Sequence, residues 1–221
     1  MASRRTNSPR KQPTQERAQQ TVQAILRATA HILRGEGWDA CNTNAVAKRA
    51  GVSIGSLYQY FPSKESLALA LAEEHAARGL AVLMEAVTAA PRGTLSFEDT
   101  VRHYIRAMVA VHAVDPKLHR VLVEQVPRIK GGLEVVRRVS TPAAELVRNW
   151  LETQREHIRG VDLDVATYML VTAVESISHL QVVDRPGKLT PELLVDELSE
   201  LVLGYLGVKR VRPGESVGMR G

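Results

Sequence analysis

Residues 43–60 read TNAVAKRAGVSIGSLYQY, and this stretch decides the fold. Two short helical segments, Thr43–Ala50 and Ser53–Tyr60, each begin at a hydroxyl residue that can cap a helix, and a two-residue turn joins them. Two helices that cross closely need a small residue in the first helix, a glycine in the turn and apolar residues between them. Ala47 and Gly51 meet the first two needs. The apolar residues are Val46, Ala50, Val52 and Leu57. The spacing predicts a helix–turn–helix, although any tightly packed helical hairpin would share part of it.

The outward face of the second segment favours contact with DNA. Ile54, Gly55, Tyr58 and Gln59 fall on one side at 100° per residue, and the segment contains no acidic residue. A glycine on this face lets the backbone approach another surface closely. Such a helix fits the major groove, where glutamine can form two hydrogen bonds with adenine and apolar groups can contact thymine methyls. The hydroxyls of Tyr58 and Tyr60 can reach phosphates, but both rings can equally well belong to the core.

Basic charge is concentrated in the same part of the chain. Residues 1–64 contain ten Lys and Arg against three Asp and Glu, a net charge of +7, whereas residues 65–221 contain nineteen against twenty-one, a net charge of −2. Lys64 and the helix start at Ser63 add a positive charge and backbone N–H groups, which both attract phosphate. A basic segment suits a polyanion because neutralised phosphates release counterions. A merely solubilising tail explains the charge equally well, since four of the ten basic residues lie before residue 12.

The rest of the chain shows helical periodicity, with no strand pattern and no repeat. The first helix should end at Gly35 and Gly37, because glycine readily takes a left-handed conformation. Trp38 should then lie in a short connector and fill space beneath the next helices. Pro142 should kink or split its helix. Beyond the motif, the predicted helices span residues 63–89, 96–114, 115–126, about 133–157, 162–183 and 190–206.

These elements predict an all-α protein with two folded parts. We expect a disordered basic arm over residues 1–15, a three-helix helix–turn–helix domain over 16–62, a larger helical domain over 63–207 and a flexible tail over 208–221. No window approaches the roughly 20 apolar residues of a membrane span, so no membrane partner is expected. The polar N-terminus does not read as a secretory signal, and the single cysteine, Cys41, excludes an intrachain disulfide framework. The sequence therefore favours the cytoplasm.

Catalytic and metal-binding patterns are missing from the sequence. The seven histidines show no HExxH spacing, and His103 and His112 fall on opposite faces of their helix. There is no phosphate-binding glycine loop, and Cys41 has no evident activating base. We therefore expect no enzyme, no cofactor and no metal site, because a metal sensor needs clustered ligands.

The stretch TNAVAKRAGVSIGSLYQYFPSKESL resembles the signature of the tetracycline-repressor (TetR) family, and the resemblance covers Glu16 to about Leu71. It implies an all-helical homodimer that binds double-stranded operator DNA through its N-terminal domain. The larger C-terminal domain would bind a small-molecule effector and dimerise, with the last two long helices forming a four-helix bundle across a two-fold axis. The arm Arg4–Lys11 can reach a neighbouring groove or contribute nothing. By position, the implied DNA-binding residues are Thr43, Asn44, Ser53, Ile54, Gly55, Ser56, Tyr58, Gln59, Tyr60 and Lys64.

An effector cavity should lie among the middle helices, with apolar walls and a few polar groups. Glu175 is the most suggestive candidate, since an acid on an apolar helix needs a partner or a ligand. A position at the edge of the bundle or of a dimer explains it just as well, and each candidate is more often plain core. The candidates are Met84, Met108, His112, Leu122, Gln125, Trp150, Met169 and Glu175.

Two functions remain open at this point. In the first, the protein is a sequence-specific DNA-binding regulator, a repressor that a small molecule releases from a palindromic operator. In the second, it is an all-helical carrier for an apolar small molecule and has no specific DNA recognition. The apolar face of the last helix does not separate them, because Leu193, Leu194, Leu198, Leu201, Val202 and Tyr205 suit a dimer interface or an internal core.

Overall fold

A computed structural model of the protein describes residues 13–89, 95–184 and 187–208. All regular structure in these ranges is helical, as predicted. A short 3₁₀ turn at Val126–Arg128 follows the sixth helix. The helices are α1 (Pro13–Ala40), α2 (Thr43–Ala50), α3 (Ile54–Tyr60), α4 (Lys64–Ala89), α5 (Phe97–Ala113), α6 (Pro116–Gln125), α7 (Gly132–Thr153), α8 (Leu163–Asp184) and α9 (Pro191–Leu206).

The ends of the chain lie mostly outside the described residues. Residues 1–12 of the predicted arm and residues 209–221 of the predicted tail lie outside the described residues. Helix α1 already begins at Pro13, three residues before the predicted start. Its regular geometry breaks at Gly37, whose φ of 82° is left-handed, and helical structure resumes through Ala40. The predicted end of the first helix is thus observed as a break at Gly37, and the further helical residues up to Ala40 were not expected.

Most predicted helix starts are confirmed by hydrogen bonds from main-chain N–H groups to capping side chains. Ser53, Ser96 and Thr190 each accept a bond from the N–H three residues ahead. Asp162 accepts two such bonds at the start of α8. At α7 the alternative of a split at Pro142 is wrong, because one helix runs through that residue, and it ends at Thr153 rather than His157. A proline removes one main-chain hydrogen bond, and the remaining hydrogen bonds of this 22-residue helix keep the residues on both sides of it helical.

The chain divides into two compact units. The first comprises Met1–His75 with Val121–Val135, and the second comprises Ala76–Arg120 with Val136–Gly221. In the first unit the fully buried side chains include Ile25, Leu33, Val46, Leu57, Leu67 and Leu71. In the second unit a core of apolar residues from α5, α7, α8 and α9 surrounds Leu151, Leu194, Leu198 and Leu206. No helix in the described ranges has the length and hydropathy that a transmembrane segment requires.

Candidate nucleic-acid interface and buried cavity

Local hydrogen bonds hold α2 and α3 in the geometry of a helix–turn–helix. The cap of α2 is Asn42, whose side chain accepts a bond from Ala45 N–H at 2.9 Å. The prediction that Thr43 is the cap was therefore wrong by one residue, and Thr43 begins the helix itself. Gly51 ends α2 with a left-handed φ of 70°, and Val52 N–H closes the turn by donating to Ala47 O at 3.1 Å. A residue with a Cβ would be strained at that φ, which explains the glycine.

The predicted apolar contacts between α2 and α3 are confirmed. Val46 and Leu57 are fully buried and Ala47 nearly so, while Ala50 and Val52 are half-buried. Leu57 is the one buried residue of α3, Ser56 is half-buried, and the other five residues are exposed. The buried leucine therefore fixes which face of α3 is presented to solvent.

The solvent-facing side of α3 contains the residues that the sequence assigned to it. Tyr58 is 51% exposed, Ile54 and Tyr60 are each 38% exposed, and Gly55 and Gln59 are also exposed. Neither tyrosine is a core residue, so the alternative of two buried rings is wrong. The hydroxyl of Tyr58 lies 3.1 Å from Thr43 Oγ1 on α2. Two of the groups assigned to phosphate are therefore adjacent, at one surface of the motif.

Three further predicted residues lie at the beginnings of α2 and α3. Ser53 caps α3 by accepting a bond from Ser56 N–H at 3.0 Å, and the two hydroxyl oxygens lie 2.8 Å apart. Asn44 is exposed on the first turn of α2. These three side chains lie at the N-terminal ends of the two helices, where N–H groups and the helix dipole attract anions. Their contact with DNA stays a prediction.

Lys64 is held in place by Trp38, a contact that the sequence analysis missed. The ammonium of Lys64 lies 4.4 Å from the centre of the indole ring and donates a hydrogen bond to Trp38 O at 3.4 Å. A cation over an aromatic face gains roughly 0.5–1 kcal/mol at a partly exposed site. Trp38 is half-buried, so it supports a basic residue at the surface as well as filling space. The exposed Lys48 and Arg49, in the last turn of α2, add two more positive charges to this unit.

The second unit encloses a cavity of about 140 Å³ with almost entirely apolar walls. Its one acidic residue is Glu175, and aromatic rings form part of the wall. Trp150 stacks on Phe97 with ring centres 5.2 Å apart and meets Tyr104 edge-on at 5.7 Å. The lining residues are Leu83, Val101, Tyr104, Ile105, Met108, Ala143, Leu146, Val147, Trp150, Leu170, Val171, Val174, Glu175 and Val202.

The structure brings three of the eight predicted ligand-binding residues together at this cavity: Met108, Trp150 and Glu175. Met84 and Met169 are 38% and 49% exposed and do not line it. His112 is buried one turn beyond Met108, outside the lining. Leu122 and Gln125 belong to the other compact unit. Helical periodicity shows which face of each helix is apolar, but it does not show which of these faces pack around the cavity. The predicted set therefore contains residues that line the cavity and residues that do not.

Burial in apolar surroundings raises the pKa of Glu175, because the charged carboxylate is poorly solvated there. A weak contact opposes this effect, since Ser140 Oγ lies 3.5 Å from a carboxylate oxygen of Glu175 and can donate to it. The cavity therefore combines apolar walls with a single acid whose charged form is disfavoured by burial. Such a site suits a mostly apolar molecule with one polar group.

Comparison with known proteins assigns both the N-terminal and the C-terminal part of the chain to tetracycline-repressor families. Residues 96–206 match the family described as "Tetracyclin repressor-like, C-terminal domain", and residues 25–71 match "Bacterial regulatory proteins, tetR family". The HTH-type transcriptional repressor KstR of Mycolicibacterium smegmatis is 51% identical over 43 residues, which are 20% of this chain and 21% of that protein. The nucleoid occlusion factor SlmA of Haemophilus influenzae is 30% identical over 113 residues, 51% of this chain and 48% of that one. The aligned regions thus span from about a fifth to about half of these relatives' length.

A solved structure extends the likeness to nearly the whole fold. The fatty acid degradation regulator FadR from Bacillus halodurans aligns with a TM-score of 0.68 at 20% identity, covering 90% of this chain and 100% of that one. The C-terminal family match alone covers half of the chain, and the N-terminal match contains the helix–turn–helix described above. The chain belongs to the TetR family of bacterial transcriptional regulators.

Proposed function

We propose that the protein is a sequence-specific DNA-binding repressor that a small-molecule effector releases from a palindromic operator. The observation that carries the proposal is α3, a capped seven-residue helix whose exposed side contains Ile54, Gly55, Tyr58 and Gln59. With its side chains an α-helix is about 10–12 Å in diameter, so α3 fits a major groove about 12 Å wide. Its partners are then double-stranded DNA, an effector and a second copy of the chain, and its place is the bacterial cytoplasm, where the DNA lies.

The residues of the motif take two roles in this proposal. Five residues form the base-facing part of α3, namely Ser53, Ile54, Gly55, Ser56 and Gln59. Thr43 holds a phosphate with its hydroxyl and amide groups, and Asn44 lies beside it. Tyr58, Tyr60 and Lys64 contact phosphate from the same surface. The hydrogen bond between Tyr58 and Thr43 supports this division, because it holds two phosphate-binding groups side by side. The contact between Lys64 and Trp38 supports it in the same way.

Selection of binding sites from random duplex DNA tests the proposal. A dimeric helix–turn–helix places its recognition helices about one duplex turn apart, 34–36 Å, so we expect two inverted half-sites with centres about 10 base pairs or a multiple apart. Enrichment of no palindrome would contradict the proposal. Binding of an apolar small molecule together with no preference among duplex sequences would instead support the carrier function.

Two substitutions on α3 should separate affinity from sequence preference. Tyr58→Ala should weaken binding to every sequence, because it removes a phosphate contact. Gln59→Ala should cost about 1–3 kcal/mol against one base pair and relax the preference there. Fluorescence anisotropy on the selected operator and on its single-base variants measures both effects. The matched control is Gln23→Ala, an exposed glutamine on α1. Unchanged binding in both α3 variants would refute these roles.

A homodimer requires an apolar surface outside the core, and α8 and α9 provide one. The predicted apolar face of α9 divides in two: Leu194, Leu198 and Val202 are buried in the core, whereas Leu193 and Leu201 are more than 40% exposed. On α8 the exposed apolar residues are Val165, Tyr168, Met169 and Leu180. Neighbouring exposed apolar faces on two helices support a four-helix interface between two copies.

The effector is proposed to bind in the cavity with its apolar body against Met108 and Trp150 and its polar group at Glu175. Helix α4 contains residues of both units, Lys64 in the first and Leu83, a cavity residue, in the second. An effector that binds better to dimers with wrongly spaced recognition helices will lower operator affinity without touching DNA. A small movement of α4 is the proposed link.

Glu175→Gln should stabilise the protein at neutral and alkaline pH. The raised pKa of Glu175 means that the folded state prefers the neutral carboxyl group, so native stability is lost as pH rises from the ordinary glutamate pKa through the raised one. A neutral glutamine does not suffer this loss. Thermal unfolding at several pH values should therefore show variant and native protein converging at low pH and separating as pH rises. The control is Glu145→Gln, an exposed position on the same unit. A constant difference at all pH values would contradict the expectation.

A further inference from the structure

Three histidines from three different helices meet in the second unit. His112 lies in the last turn of α5, His119 lies on α6 and His179 lies on α8; the first two are buried and the third is half-buried. Their ring centres are separated by 4.7, 4.9 and 5.0 Å. One ring nitrogen from each lies within 4.8 Å of those of the other two. The expectation that the histidines do not cluster was wrong, because residues 7 and 60 positions apart in sequence meet only through the fold.

One of the three is oriented like a metal ligand. Nδ1 of His112 lies 2.7 Å from Met108 O. A carbonyl oxygen can only accept, so Nδ1 is the donor and the neutral ring keeps a lone pair on Nε2. Metal-binding histidines nearly always use one ring N–H in this way, because the second hydrogen bond fixes the tautomer and the ring orientation.

The chemistry of the three side chains indicates which ions fit. Imidazole is the commonest metal ligand in proteins. The cluster offers nitrogen donors, which suit zinc and similar transition metals, whereas magnesium and calcium prefer oxygen.

We propose that His112, His119 and His179 bind one divalent transition-metal ion, with zinc as the best fit. Zinc–nitrogen bonds of about 2.0–2.1 Å in a tetrahedral site place the nitrogens roughly 3.3 Å apart. The observed separations, up to 4.8 Å, reach that value by small rotations of the rings. Three protein ligands leave a fourth position for water or for a donor atom of a bound molecule.

The metal site would adjoin the cavity along two helices. Met108 and Glu175 line the cavity, and His112 and His179 follow them by four residues on α5 and α8. Four residues make about one helical turn, or 6 Å of rise, so each histidine lies one turn beyond a cavity residue on the same face. The proposed ion would thus fix the ends of two cavity-lining segments. The proposal of a metal site does not depend on DNA binding by the first unit.

Zinc binding by the full-length, untagged protein after treatment with a chelator tests the proposal. We expect one tightly bound zinc per chain in competition with a chromophoric chelator, and a visible spectrum typical of tetrahedral coordination with cobalt. Loss of an outer-shell partner already costs 10–100-fold in metal affinity, so loss of a direct ligand should cost at least about 100-fold. His179→Gln, at the half-buried position, should show this loss.

The matched control is His157→Gln, an exposed histidine of the same unit that stacks on Phe97. It removes one histidine and leaves the cluster intact, so zinc affinity should stay within a few-fold of the native value. Circular dichroism of each variant monitors the fold. If His119→Gln, at a buried position, fails to fold, His179→Gln and the cobalt spectrum of the native protein still decide the matter. Equal zinc affinity in native protein and His179→Gln, or no zinc bound by the native protein, would overturn the site.

Discussion

Gly132→Ala should lower the free energy of unfolding by about 3 kcal/mol or more, because the new methyl group has no space. A Cβ at Gly132 would overlap the carbonyl oxygen of Val126 and lie 2.8 Å from the carbonyl carbon. Both atoms belong to the main chain, so no side-chain rotation relieves the clash. Gly132 N–H also donates to Ile129 O at 2.8 Å, which ties the first residue of α7 to the same turn. The turn must therefore open, and this hydrogen bond is lost with it.

Its neighbour Gly131 provides the control, since the same substitution meets a different obstacle there. A Cβ at Gly131 meets no atom within 4 Å, but φ is +83°. The left-handed conformation costs a non-glycine residue roughly 1–2 kcal/mol. Denaturant unfolding monitored by circular dichroism should rank native protein, Gly131→Ala and Gly132→Ala in order of decreasing stability. An equal or larger loss for Gly131→Ala would contradict the argument from close contact.

Short-range signals in the sequence predicted local structure well. The helix starts at Ser53, Asp162 and Thr190 were all predicted, and each of these residues caps its helix, because capping depends only on a side chain and an N–H two or three residues away. Asn42 was missed in favour of Thr43, since either of two adjacent polar residues can cap and only the backbone conformation decides between them. The helix that contains Pro142 was predicted, but the alternative of a split at the proline was wrong. A local pattern shows the cost of a proline, whereas the stabilising packing of the helix's apolar side depends on the fold.

Contacts between helices that are far apart in the chain could not be predicted from the sequence. The exposed face of α3 was predicted because one buried leucine fixes the orientation of a seven-residue helix. The cavity was predicted only in part. Periodicity assigns Met84 and Met169 to helical faces but cannot tell which faces pack together, and both proved exposed. The histidine cluster shows the same limit, because its three members have no common sequence spacing.

Leu57→Ala should destabilise the first unit by about 3–5 kcal/mol, since Leu57 is fully buried and its truncation leaves a cavity between α2 and α3. Because native domains are stable by only about 5–15 kcal/mol, this loss removes a large part of the stability of the helix–turn–helix. DNA binding should then fall for every sequence, in parallel with the fraction of folded protein. Denaturant unfolding and operator binding at a series of temperatures measure the two quantities on the same sample.

Gln59→Ala, two residues further along the same helix, separates the stability of the motif from its recognition of DNA. Gln59 is exposed, and surface substitutions typically change stability by no more than about 0.5 kcal/mol. It should therefore leave the unfolding curve unchanged while relaxing preference at one base pair. Leu57→Ala should do the reverse, preserving the order of preference among sequences at low temperature, where the unit is folded. If Leu57→Ala altered the sequence preference of the folded protein, the specificity of α3 would depend on how it packs against α2. Recognition could then not be assigned to the exposed residues of α3 alone.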